Sequence, residues 1–157
     1  MTTGRTYAVT FAAVAIAAAQ DLFEIQPADD KPVEIIGWNI GQTSDAGDAQ
    51  DEQLQITVVR GHSTSGSGGT SATPRPLNPN DAAAGFTAEV NNTTIASSGT
   101  GVALFASAFN VRAGSDVYLP EDVRPRAGQG DGTIVVRITA PADSLTTSGV
   151  LWVRELI

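Results

Sequence analysis

Three aspartates, Asp45, Asp48 and Asp51, recur at intervals of three in GQTSDAGDAQDEQLQITVVRG (residues 41–61), and Glu52 follows directly. Carboxylates at that spacing would gather on one side of a helical turn, where they could hold a hard cation or share a proton. A helix-loop-helix calcium loop needs oxygen ligands at alternate positions, a sixth-position glycine and a twelfth-position glutamate. Counted from Asp45, the third, fifth and sixth residues are Gly47, Ala49 and Gln50; counted from Asp48, the twelfth is Val59. Both registers fail. Thr43, Ser44 or Asp45 can instead cap a short helical turn whose early acids suit the positive end of its dipole. The expectation is a solvated, capped acidic turn that binds no metal.

His62 is the single histidine. One histidine rules out a multi-histidine metal site within one chain and leaves a serine hydrolase only one base. It stands beside the Ser- and Gly-rich stretch 63–73, but no G-x-S-x-G elbow exists to aim a nucleophile. That stretch also lacks the lysine and spacing of a phosphate-binding loop. The aromatic residues Tyr7, Trp38, Tyr118 and Trp152, with Asn91, Asn92 and Asn110, offer the elements of a sugar-stacking platform. Trp38 and Trp152 have apolar neighbours, however, which favours core packing for both. No residue is therefore assigned a catalytic, cofactor-binding or metal-ligating role, and the chain is read as a non-enzyme with no cofactor.

Seventeen acids against nine bases give a net charge of −8, which disfavours nucleic acid and anionic lipid as partners. There is no cysteine, so neither disulfides nor thiolate chemistry contributes. The apolar stretch from Ala8 to Ala19 imitates a secretory leader, but it is mostly alanine without leucine and too short to span a bilayer. It is read as part of the fold.

The elements that must position these residues follow a period of two. Tyr7, Val9 and Phe11 alternate with Thr6, Ala8 and Thr10; Leu54, Ile56 and Val58 alternate with Gln53, Gln55 and Thr57; and Ile134, Val136 and Ile138 alternate with Val135, Arg137 and Thr139. In PVEIIGWNIGQ (32–42) strict alternation sets Ile36, Trp38 and Ile40 against Val33 and Ile35. In SGVLWVRELI (148–157) it sets Val150 and Trp152 against Leu151 and Val153. Strands apolar on both faces need two covers, such as a second sheet and a neighbouring subunit. Further strands are predicted at 86–90, 102–111 and 117–119, with short helical turns at 81–84 and 44–52. About eight strands joined by unequal loops predict an all-β sandwich or jelly roll, formed by residues 1–157 as one domain. The Gly/Ser/Pro stretch 61–80 is read as a flexible loop or inter-subunit arm.

This profile, an acidic cysteine-free all-β chain with a Gly/Ser/Pro arm and the apolar end VLWVRELI, resembles the decoration, or cement, proteins of tailed-bacteriophage heads. GWNIGQTSDAGDAQDEQLQITVVRG belongs to the same general pattern. The resemblance implies a β-sandwich or jelly-roll body that assembles as a dimer or trimer, with the trimer preferred. It further implies extended arms that clamp neighbouring major capsid proteins on the outer surface of the virion, without direct contact to nucleic acid or membrane. The alternative function is a carbohydrate-binding β-sandwich for adhesion or phage receptor recognition.

Overall fold

The computed structural model describes residues 3–43 and 52–157. The aspartates Asp45, Asp48 and Asp51, and most of the helical turn expected at 44–52, lie outside the described residues. The strands are β1 (Gly4–Ile16), β2 (Gln20–Gln26), β3 (Val33–Gln42), β4 (Gln53–His62), β5 (Thr70–Ala72), β6 (Arg75–Pro76), β7 (Thr87–Asn92), β8 (Val102–Asn110), β9 (Ser115–Tyr118), β10 (Arg126–Ala127), β11 (Thr133–Ile138) and β12 (Leu145–Leu156). Helix among the described residues is limited to two short 3-10 turns, Glu121–Val123 and Gln129–Asp131. The turn expected at 81–84 is instead irregular chain.

Two antiparallel sheets form the sandwich. The first runs β10-β3-β12-β1-β6, with β9 also paired to β3; the second runs β5-β7-β2-β11-β4-β8. Without the shortest strands and β7, β1-β12-β3-β9 faces β2-β11-β4-β8. Successive strands of this set alternate between the sheets, apart from the step from β4 to β8. That is the double Greek-key order of a jelly roll.

Period-two alternation turns Tyr7, Val9, Leu151 and Val153 of the first sheet towards Ile56, Val58, Ile134 and Val136 of the second, and all eight are fully buried. Each such side chain contributes roughly 1.5–3 kcal/mol relative to an exposed one.

Two bulges change the faces that strict alternation predicts. On β3 the ladder to β12 passes from Trp152↔Gly37 to Val153↔Ile35, leaving Ile36 as the extra residue. The slip carries Val33, Ile35, Trp38 and Ile40 into one core, so the expected opposition between Ile35 and Trp38 does not occur. Ile36 and Gly37 are left on the outer face. On β2 the pairing to β11 jumps from Val136↔Phe23 to Arg137↔Asp21, skipping Leu22. Asp21 and Glu24, which alternation would send to opposite faces, thereby share the outer face of the second sheet.

The stretch 61–80 runs along the body. After β4 it crosses the second sheet, adds β5 to β7 at Thr70↔Val90, then adds β6 to β1 at Tyr7↔Pro76. It thus closes the sandwich along the side where β1 approaches β7 and β5.

Candidate interaction surfaces

The outer face of the second sheet is covered by two antiparallel straps, residues 62–70 and 92–100. Thr64 and Ser97 exchange both backbone hydrogen bonds (2.9 and 3.0 Å), and so do Ser67 and Thr94 (3.0 and 2.9 Å). The straps are a degenerate repeat: HSTSGSGGT and NTTIASSGT share threonine, serine, glycine and threonine at equivalent positions, offset by thirty residues. Each closes over one acid of β2. The Gly66 N–H donates to Glu24 Oε2 at 2.9 Å, and the equivalent Ala96 N–H donates to Asp21 Oδ2 at 2.8 Å. Glu24 also receives Asn92 Nδ2 at 3.1 Å and a close contact from the Ser65 hydroxyl. Arg137 Nε meets Asp21 Oδ1 at 2.7 Å, and Nη2 of the same side chain donates to the Ala96 carbonyl at 3.1 Å.

Buried carboxylates are tolerable only when hydrogen-bonded or paired: Asp21 is both, and Glu24 is hydrogen-bonded. The straps also lie over Val135, the apolar residue of β11 that alternates with Ile134 and Val136 and is fully buried. Asn91 and Asn92, considered for sugar contact, are buried here, and Asn110 receives the Arg112 N–H at 2.9 Å at the end of β8. His62 Nδ1 donates to the Ser98 carbonyl at 3.0 Å, which ties the straps together. Glu52, the last of the opening acids, receives the Ala142 N–H at 2.7 Å.

The outer face of the first sheet is more open. Its register places Trp152 of β12 and Tyr118 of β9 on either side of Gly37 in one rung. A Cβ on Gly37 would stand 2.1 Å from the Val117 carbonyl oxygen, so only glycine lets β9 close against β3 here. Tyr118 is 72% exposed, Trp152 is half-buried, and the two border a groove of about 510 Å³ floored by Ile36. Leu77 and the turn residues Asn78 and Asp81 form another wall, and Arg154 lies at one side. Trp152 is therefore a surface residue, against the core role expected of it. Trp38 does lie in the core, with its indole N–H donating to Ser115 Oγ at 3.0 Å.

Beside the groove, the fully buried Glu34 is surrounded by Arg124, Arg126 and Arg154 at 3.0, 3.0 and 3.1 Å. Arg124 also donates to the Leu119 carbonyl at 2.9 Å and places its guanidinium 5.9 Å from the centre of the Tyr118 ring. Cation–π attraction of this kind orients an otherwise free tyrosine.

The third surface is a strand edge. β8, VALFASAFN, pairs with β4 on one side and ends the second sheet on the other. Its nine residues include no charge and no proline, and Val102 and Leu104 are exposed at 44% and 37%.

No family model, curated protein or solved structure matches this chain.

Proposed function

We propose that the chain is a non-enzymatic structural protein of a bacteriophage head, which self-associates, as a trimer in preference to a dimer, and clamps neighbouring major capsid proteins on the outer capsid surface. The observation that carries this reading is the edge of β8. An edge strand offers a row of unpaired N–H and C=O groups, and proteins that stay monomeric blunt such edges with lysine, proline or very short strands. β8 has none of these devices. It is suited to receive a strand from a capsid protein, or to seat against a neighbouring copy, with main-chain bonds giving affinity and Val102 and Leu104 giving apolar contact. A head-to-tail contact of this kind between copies closes into a ring when the rotation permits, which is how a trimer would form.

The remaining features agree with a scaffold that holds its shape. The stretch 61–80 is spent on sealing the sandwich, so clamping falls to β8 and to apolar residues outside the core such as Val123 and Ile157. An exterior of net charge −8 keeps densely arrayed copies soluble and away from packaged DNA. Multivalent engagement of a shell then stabilises it by mass action without chemistry.

Sedimentation velocity of the purified protein should give a closed oligomer, three chains by preference. Ala106→Lys, a charge placed at an exposed position of the edge, should give monomers with an unchanged melting temperature. Added to undecorated phage heads, the protein should raise the temperature at which they rupture. Absence of binding to such heads would sink the decoration reading, and an Ala106→Lys protein that still assembles would remove β8 from it.

A further inference from the structure

Beyond that reading, we propose that the groove between Tyr118 and Trp152 is a glycan-binding site, taking a short oligosaccharide whose pyranose faces stack on the two rings. Four observations converge on it. The rings stand on β9 and β12, which flank β3 in one rigid sheet, two strand spacings apart, roughly 10 Å between backbones. The residue between them is Gly37, so no side chain fills the gap. Tyr118 is held from one side by Arg124, itself fixed by Glu34 and the Leu119 carbonyl, so the ring is oriented before any ligand arrives. Little conformational entropy is then lost on binding.

The rim supplies the fourth. Asp81 is an acceptor, Arg154 a donor and Asn78 both, all bordering the same cavity as the rings. A sugar presents hydroxyls that donate and accept along its edge and C–H groups of slightly positive character on its face, which suit the negative face of an aromatic ring. The volume, about 510 Å³, lies within the ~300–1,000 Å³ range of small-ligand sites. An extended proline-rich peptide also docks between aromatic rings. Its backbone carbonyls could accept from Asn78, but proline has no N–H to offer Asp81, whereas a sugar hydroxyl serves both, which favours the sugar.

The purified protein would be screened on an array of immobilised glycans, then titrated with the soluble di- or trisaccharide of the strongest signal by calorimetry and saturation-transfer NMR. Saturable binding is expected, weakened at least tenfold in Tyr118→Ala and several-fold in Asp81→Asn. Both substitutions are at positions outside the core, so melting should be unchanged. Trp152→Phe, which keeps an aromatic face, should retain more binding than Trp152→Ala. No saturable binding across the array and at millimolar saccharide would overturn the assignment. So would binding indifferent to Tyr118→Ala, or a proline-rich decapeptide binding the groove where saccharides do not. Head binding is measured separately, so either proposal can fail alone.

Discussion

Glu34 is one buried carboxylate facing three guanidiniums, and its removal would leave local positive charge with nothing to offset it. Breaking a buried pair by deleting one partner costs more than the pair itself contributes, because the remaining charge stays desolvated. Glu34→Gln is therefore expected to lower stability by about 3 kcal/mol in urea unfolding, whereas Arg126→Ala, whose side chain is 47% exposed, should cost under ~1 kcal/mol. Tyr7 makes a different prediction. Burial first, and the nearby Glu155 carboxylate second, raise its phenol above the usual tyrosine range, while its hydroxyl donates to the Ala82 carbonyl at 2.9 Å. A raised pKa means the folded state holds the proton more tightly. The resulting stabilisation is complete below about pH 10, the unfolded value, and is lost as pH rises through the folded one. Tyr7→Phe should flatten the alkaline limb of a stability–pH profile, although it forfeits the hydrogen bond at neutral pH. Neither role was legible beforehand. Glu34 stands inside the run PVEII as a single polar letter, and its three arginines come from positions 124, 126 and 154, ninety or more residues away.

Elements explain why acids sit inside strands at all. QDLFEIQ mixes two acids and two glutamines with three large apolar residues, and no clean alternation marks it as β2. The skipped Leu22 places Asp21 and Glu24 on one face, and the two straps then supply N–H groups to both. Glu24→Ala would strand the Gly66 N–H, the Ser65 hydroxyl and one Asn92 donor, so a loss of about 2–3 kcal/mol is expected in denaturant unfolding. Ile95→Ser, at an exposed position of the other strap, should stay within ~0.5 kcal/mol. The thirty-residue offset between HSTSGSGGT and NTTIASSGT is the sequence signal that would have found the straps. Composition alone suggests a flexible connector there, because glycine and serine serve equally in a linker and in a tight strap whose backbone supplies the bonds.

At the scale of the molecule, charge and edge oppose each other. Each chain carries −8, so copies repel at long range, while the uncharged β8 offers contact at short range. Salt separates the two effects. Raising ionic strength from ~0.01 to ~0.15 M shortens the Debye length from about 30 to about 8 Å. Self-association followed by sedimentation should tighten over that interval. An interface held by ion pairs would weaken instead.

The sequence by itself determined the class of fold. Period-two patterning of Tyr7–Phe11, Leu54–Val58 and Ile134–Ile138, together with scarce helix signals and turn-rich joints, leaves little besides two sheets packed on one core. It also pointed to a buried Trp38, which the structure places fully inside the core. The tertiary structure alone decided which residues share a face, because a single extra residue at Ile36 or Leu22 inverts every side chain beyond it, and composition carries no mark of a bulge. It decided, too, that Trp152 meets Tyr118 across Gly37 while Trp38 meets the core. Those neighbours are set by the strand order β12-β3-β9, and pairing between residues more than thirty positions apart is written in no local window.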